Sequence, residues 1–177
     1  MNAVIRKEIR LSGSGGQGII LAAVTLADAA LEAGFYGVQT QSYGPEARGG
    51  ASKAEVIISD QPIDYPKVTT PDIVLALTAQ AYAKYCDDIN PGGTMIVEES
   101  LSADDCPESA LRVPILGTAR EVGKEIVANM VSLGVLAATL KKHIDKEFIE
   151  KSISKRVPPG TEELNIRAFQ KGYDMIQ

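Results

Sequence analysis

The sequence contains few of the side chains that catalyse reactions or hold metals. Among 177 residues it has no tryptophan, one histidine and two cysteines. Cys86 and Cys106 stand far apart and no C-x-x-C motif occurs, so a zinc site or an iron–sulfur cluster has too few ligands. We expect two idle thiols in a reducing cytosol. His143 lies in a basic stretch typical of a helix C-terminus, which predicts a surface role rather than a catalytic one.

An excess of positive charge and long apolar runs are also missing. The chain has 18 basic and 23 acidic side chains, a net charge of −5 and a pI of about 5.0. A nucleic-acid-binding domain normally carries a basic patch. No apolar run approaches the roughly 20 residues that cross a bilayer, and the first residues show no signal-peptide pattern. We therefore expect a cytoplasmic, soluble protein that binds neither nucleic acid nor membrane.

The apolar pattern alternates between short strands and longer helices. The length of the chain and its 45% hydrophobic content fit a single domain that spans residues 1–177. The alternation predicts an α/β fold, a single Rossmann-like domain whose mostly parallel sheet is flanked by helices. The charged segment 145–177 predicts a helical C-terminal extension. The predicted strands are 5–11, 37–41, 54–59, 73–77, 94–97 and 111–115, and the predicted helices are 19–33, 79–89, 119–142, 146–156 and 161–176.

Polar residues within these helices make further predictions. Thr25, Asp28 and Glu32 form one narrow stripe on a helix that is otherwise apolar, so most of that helix should be buried. Thr118 has a glutamate three residues later, which is the spacing of a capping box and predicts a helix start after Thr118. Asp145 is expected to cap the helix that follows it.

A glycine-rich segment connects the first strand to the first helix. Residues 13–18 read Gly-Ser-Gly-Gly-Gln-Gly and match G-x-G-x-x-G in the strand–turn–helix context that the motif requires. The helix N-terminus would offer free N–H groups to an anion. An NAD site would also present an acidic residue at the end of the second strand, and residues 39–42 contain none. The motif therefore indicates a Rossmann-like turn, with or without a phosphate-bearing ligand.

A second unusual segment, residues 41–52, forms a long connection between short strands. It contains glycines, a proline, Tyr43, Glu46 and Arg48. Long connections in compact domains are commonly functional, and Tyr and Arg are enriched at interface centres. The alternative is a solvated loop whose charged side chains face only water.

The two segments together resemble the γ subunit of 2-oxoacid:ferredoxin oxidoreductases, and among these the 2-oxoglutarate (2-ketoglutarate) branch is most similar. The resemblance spans essentially the whole chain. It is carried by residues 13–18 and 40–50, and it continues through residues 54–59, 63–66, 71–72, 129–134, 163–169 and 172–173.

The resemblance implies a chain that works only within a complex. Such an enzyme oxidatively decarboxylates a 2-oxoacid, transfers the acyl group to coenzyme A and reduces ferredoxin. Thiamine diphosphate and Mg²⁺ belong to the α and β subunits, and the iron–sulfur clusters belong to β or to a ferredoxin-like δ subunit. By this resemblance we expect no catalytic and no metal-binding residue in this chain. The expected coenzyme A contact is formed by Gly13, Gly15, Gly16, Gln17 and Gly18. The expected subunit interface is formed by Ser42, Tyr43, Gly44, Pro45, Glu46, Arg48, Gly49 and Gly50.

Two other functions remain open at this point. One is a stand-alone small NAD(P)-dependent protein built on the same glycine-rich turn, with Tyr43 or Tyr82 as a proton donor. The other is a stand-alone coenzyme A-binding module. Ligand binding by the isolated chain would distinguish both from a subunit.

Overall fold

The computed structural model describes residues 4–42, 50–87, 89–102 and 106–176, and its centre is a six-stranded sheet. The strand order is β2-β3-β1-β4-β5-β6. The strands are β1 (Arg6–Ser14), β2 (Tyr36–Gln41), β3 (Ala51–Ser59), β4 (Ile73–Ala76), β5 (Thr94–Glu98) and β6 (Leu111–Val113).

One strand of this sheet runs against the others. The pairs β1–β4, β4–β5 and β5–β6 are parallel, whereas β3 is antiparallel to both of its neighbours, β1 and β2. Within the described residues β3 is therefore the single reversed strand, which confirms the prediction of a mostly parallel sheet. The carboxyl ends of the other five strands and the beginning of β3 share one edge, which we call the carboxyl edge.

Six helices accompany the sheet within the described residues. They are α1 (Ile19–Glu32), α2 (Ala79–Tyr85), α3 (Ile115–Val122), α4 (Ala128–Thr139), α5 (Lys146–Arg156) and α6 (Glu162–Asp174), with a 3-10 turn at Glu125–Val127. α1 and α4 contribute most of their residues to the main core, and α4 is buried along nearly its whole length.

The capping-box prediction at Thr118 is wrong. α3 begins at Ile115, so Thr118 lies inside it. The N-terminal amides of α3 find an acceptor elsewhere, because the buried Glu98 carboxylate accepts a hydrogen bond from the Leu116 N–H at 2.9 Å. The predicted helix to residue 142 is also interrupted after Val122, where Gly123 follows, a residue type that commonly ends helices. Asp145 does stand at the N-cap position of α5, but its side chain makes no capping hydrogen bond.

The polar stripe on α1 faces α5, whose basic side chains pair with its two carboxylates. The Thr25 hydroxyl is fully buried and donates to the Leu21 carbonyl at 2.7 Å, so it is satisfied within α1. Asp28 and Glu32 instead form ion pairs with basic side chains of α5. α1 is less enclosed than its apolar pattern predicts, because Leu31 is 54% exposed.

The two helices of segment 145–177 pack on the rest of the molecule. α6 crosses α4 at a pair of glycines, Gly134 and Gly172, where a Cβ atom on either residue would overlap backbone atoms of the facing helix. Phe169 of α6 is fully buried in the main core. The predicted extension therefore completes the layer that covers one face of the sheet.

Candidate functional site

The glycine-rich segment forms a tight turn at the carboxyl edge. β1 ends at Ser14, and α1 begins at Ile19. Gly16 and Gly18 have φ values of +89° and +72°, a region that favours glycine. Gly15 and Gly16 form the exposed tip of the turn. The sequence motif therefore produces the turn that its spacing predicts.

Gln17 has a structural role inside this turn. Its side-chain oxygen accepts a hydrogen bond from the Ser14 N–H at 2.7 Å, while its backbone N–H donates to the Ser14 carbonyl at 3.3 Å. A Cβ atom on Gly13 would overlap the same side-chain oxygen. Gly13 and Gln17 therefore shape the turn, and its exposed backbone comes from Gly15 and Gly16.

The N-terminus of α1 lacks the groups that usually neutralise a helix end. Gly18 supplies no capping side chain, and the first turn contains no acidic residue. Such an end presents unpaired N–H groups and the positive pole of the helix dipole. It can therefore accept an anionic group of a ligand.

Asn129 holds the start of α1 from the side. Its carboxamide nitrogen donates a long hydrogen bond, 3.4 Å, to the Gly18 carbonyl, and a Cβ atom on Gly18 would lie 2.6 Å from that nitrogen. The carboxamide oxygen is buried without a hydrogen-bond partner among the described residues. The sequence marks Asn129 only as one of few polar residues in an apolar helix, so its contact with Gly18 was not predicted.

Both ends of the second predicted segment, residues 41–52, lie at the carboxyl edge beside the glycine-rich turn. The Ser42 N–H donates to the Lys53 carbonyl at 3.2 Å, and the Ser52 hydroxyl donates to the Gly13 carbonyl at 3.4 Å. Gly50 immediately precedes β3. The other predicted interface residues lie outside the described residues: Tyr43, Gly44, Pro45, Glu46, Arg48 and Gly49.

A cleft of about 270 Å³ joins the two segments. It is lined by Ser14, Gly15, Gly16, Gly18, Ile19, Ile20, Ser42 and Ser52. The structure thus brings three of the five predicted ligand-contact positions, Gly15, Gly16 and Gly18, into one cleft with Ser42, whereas Gly13 and Gln17 lie outside its lining. Two exposed apolar side chains stand beside the turn. Ile20 is 41% exposed, and Ile126, which is 73% exposed, lines a neighbouring cavity with Gly16 and Gln17.

The cysteines and the histidine lie away from this cleft. Cys86 and Cys106 belong to a small apolar cluster on the other face of the sheet and are 6% and 8% exposed. Burial raises the pKa of the Cys86 thiol to about 12, with the nearby Cys106 adding to the effect. A thiol with such a pKa stays protonated near neutral pH and is a poor nucleophile. His143 follows α4, and the groups around it belong to the opposite edge of the sheet.

The described residues offer neither a group of metal ligands nor a membrane-spanning helix. In the part of the chain that the structure describes, no three His, Cys, Asp or Glu side chains are grouped so that they could hold a metal ion. None of the described helices is long and apolar enough to cross a membrane.

Comparison with known proteins places this geometry in one family. The family model for pyruvate ferredoxin/flavodoxin oxidoreductase matches residues 8–175. The 2-oxoglutarate synthase subunit KorC of Methanocaldococcus jannaschii is 55% identical over 98% of this chain and 95% of its own length.

Two solved structures share the fold. The γ subunit of a keto/oxoacid ferredoxin oxidoreductase from Geobacter sulfurreducens superposes with a TM-score of 0.85 at 47% identity, over 96% of this chain and 95% of that one. The 2-oxoglutarate:ferredoxin oxidoreductase of Magnetococcus marinus, solved with 2-oxoglutarate, coenzyme A and succinyl-CoA bound, has a TM-score of 0.85 at 26% identity. That match covers 97% of this chain and 31% of the longer one. The chain therefore belongs to the pyruvate ferredoxin/flavodoxin oxidoreductase family, as a γ-type subunit of a 2-oxoacid:ferredoxin oxidoreductase.

Proposed function

We propose that this chain is the γ subunit of an enzyme whose 2-oxoacid is 2-oxoglutarate. The complex would convert 2-oxoglutarate and coenzyme A into succinyl-CoA and carbon dioxide, and would pass the two electrons to ferredoxin. The substrate assignment is supported by 55% identity to a 2-oxoglutarate synthase subunit over nearly the full length of both chains. The comparisons offer no support for a stand-alone NAD(P)- or coenzyme A-binding protein.

We propose a supporting role for this chain within the complex. The observation that carries it is the single cleft in which the turn at Gly15 and Gly16 meets Ser42 at the N-terminus of α1. Coenzyme A carries phosphate groups, and an uncapped helix N-terminus with an exposed glycine backbone binds such groups well. The chain would thus position coenzyme A, while segment 42–50 and the exposed Ile126 would meet a neighbouring subunit.

The redox and thiamine chemistry would take place on the partners. The described residues provide no group of three metal-binding side chains, so they do not fit Mg²⁺ or an iron–sulfur cluster. We propose that α and β subunits hold thiamine diphosphate and Mg²⁺, and that β or a ferredoxin-like δ subunit holds the clusters. External ferredoxin would accept the electrons.

The first experiment isolates the complex. We expect affinity purification of the tagged chain from its own host, without oxygen, to recover thiamine-binding and iron–sulfur subunits in equal amounts. The purified complex should reduce ferredoxin faster with 2-oxoglutarate than with pyruvate or 2-oxoisovalerate. Recovery of the chain alone from a lysate that contains intact partner subunits would contradict the subunit assignment. A preference for another 2-oxoacid would contradict only the substrate assignment.

A second experiment tests the coenzyme A contact in the assembled complex. Gly15→Val adds a side chain at the exposed tip of the turn and should raise KM for coenzyme A about tenfold, while KM for 2-oxoglutarate stays unchanged. Gly117→Ala is the control, because Gly117 lies inside α3 away from the cleft. An unchanged KM for coenzyme A in Gly15→Val would exclude this contact without affecting the subunit assignment.

A further inference from the structure

A cavity that the proposed function does not use lies at the edge of the sheet opposite to the candidate site. Its volume is about 360 Å³, within the range of small-molecule pockets. It is bounded by the beginnings of β1, β4 and β5 and by the turn that follows α4. Lys7 in this cavity and Ser14 beside the glycine-rich turn are seven residues apart on β1, so the two sites are separated by about 23 Å.

Positive charge predominates around this cavity. Lys7 and Lys142 line it, and neither lysine forms an ion pair with another described residue. Asp72 is the one carboxylate in the lining. Both of its oxygens are occupied, one by the Glu8 N–H at 2.8 Å and the other by the side-chain nitrogen of Asn90 at 3.0 Å. Asp72 therefore ties the beginnings of β1 and β4 together rather than pairing with a lysine.

Helix electrostatics explain only part of this arrangement. Lys142 follows the C-terminus of α4, where the helix dipole favours a cation. Lys7 lies on β1, so the dipole of α4 does not account for its position in the cavity lining. In a chain whose net charge is −5, lysines from two distant segments thus border the same cavity. Two lysines against the one carboxylate of Asp72 leave the lining with net positive charge, which attracts an anion.

We propose that this cavity binds a phosphate group, either free or as part of a small phosphomonoester. The lining contains two lysines and no arginine. Lysine binds phosphate as a point charge, whereas planar recognition of a carboxylate favours arginine. The volume leaves room for a small organic group next to the phosphate. The site would be independent of the cleft at the carboxyl edge, because it shares no residue with that cleft.

The test is calorimetric titration of the full-length chain with inorganic phosphate and, separately, with glycerol phosphate, at an ionic strength held constant with chloride. We expect saturable binding of at least one of the two at one site per chain. The ligand that binds tighter identifies the source of the phosphate group. Lys7→Gln combined with Lys142→Gln should weaken this binding about tenfold or more, since two charge-assisted contacts are lost. Lys171→Gln is the matched control, because Lys171 is an exposed lysine of α6 outside the cavity. This variant should bind the phosphate ligand as tightly as the unmodified chain does.

Three results would overturn the proposal. The first is an absence of saturable binding of either ligand. The second is equal affinity in the double lysine variant and the unmodified chain. The third is binding that survives the lysine substitutions and disappears in Gly15→Val, which would place the phosphate at the glycine-rich turn instead.

Discussion

Gly18 and Gly16 have similar backbone conformations in different surroundings. Both have positive φ, but a Cβ atom on Gly18 would lie 2.6 Å from the Asn129 side-chain nitrogen, whereas a Cβ atom on Gly16 would meet nothing within 4 Å. The first position carries a steric requirement in addition to the conformational one.

We expect Gly18→Ala to lower the free energy of unfolding by about 2–3 kcal/mol and Gly16→Ala by about 1 kcal/mol. Urea unfolding of the two variants, each compared with the unmodified chain, measures the difference. Equal losses of unfolding free energy in the two variants would show that the Asn129 side chain moves aside without cost and does not hold the start of α1.

At this scale the sequence predicts the turn but not its contacts. The spacing of the glycines is local information, and it correctly places the turn before α1. The fold of Gln17 back onto Ser14 depends on a side-chain conformation that no motif specifies. Asn129 is distant in the chain from Gly18, so their contact arises only when α4 packs against α1.

Two glycines determine how closely α4 and α6 approach. Gly134 faces the backbone at Phe169 and Tyr173, and Gly172 faces the backbone at Val131. Side chains at these positions cannot relieve the overlap by rotating, because the opposing atoms are backbone. The helices would have to separate, which would open the core between them.

We expect Gly134→Ala to lower the free energy of unfolding by about 3 kcal/mol or more. Gly117→Ala is the matched control, because Gly117 also lies inside a helix but has only the Pro114 Cβ near the added atom, at 3.9 Å. That substitution should stabilise the protein by about 0.5–1 kcal/mol through helix propensity. Thermal unfolding of both variants measures these changes in stability. A small loss of stability in Gly134→Ala would mean that α4 and α6 move apart without opening the core.

Glu32 couples the α1–α5 contact to pH. Hydrogen bonds and charge from Lys151 and Lys155 lower the pKa of its carboxyl group from the ordinary value of 4.5. A carboxyl group whose folded-state pKa lies below its unfolded value contributes stability above the unfolded value, and that stability is lost as the pH falls through the folded value.

We therefore expect Glu32→Gln to be less stable than the unmodified chain at about pH 7, with the difference shrinking as the pH falls below 4.5. Glu121→Gln, at an exposed glutamate of α3 with no ion pair to a described residue, should show little effect at either pH. Urea unfolding over this pH range measures both. A pH-independent difference for Glu32→Gln would assign the effect to packing rather than charge.

At the scale of elements, the apolar pattern of the sequence predicts the order of strands and helices, but it places several of their first or last residues wrongly. The sequence pattern predicts the first strand over 5–11, whereas β1 extends to Ser14, because Ser12, Gly13 and Ser14 pair with residues at the start of β3. These residues favour strand structure only when a neighbouring strand is present. The start of α3 was missed for a related reason, since its acceptor, Glu98, lies on another element.

The whole molecule has one main core, to which its last two helices contribute. Phe169 is fully buried in the same cluster as Ile9 and Leu11 of β1. Removing α5 and α6 would expose α4 and most of one side of α1. Segment 145–177 was recognised from its charge and helical pattern, but its surroundings depend on the tertiary fold.

We expect a chain that ends after Ile144 to lack a cooperative unfolding transition, whereas a chain that ends after Asp174 should keep one. Circular dichroism and size-exclusion chromatography of the two truncated chains make the comparison. A compact, cooperatively unfolding 1–144 fragment would show that the sheet with α1–α4 is an independent unit.

The reversed direction of β3 has a consequence for how such a subunit can diversify. Because β2 and β3 are antiparallel, the connection between them leaves and returns at one edge, and its ends are fixed by the pairing of Ser42 with Lys53 and of Ala51 with Ser14. Adding residues to a connection held in this way shifts no strand register, and doubling its length costs only about 0.6 kcal/mol in closure entropy. Insertions here would change what is presented next to the cleft while leaving the sheet unchanged. Under the interface role proposed above, changes in this segment would alter partner preference without a new fold.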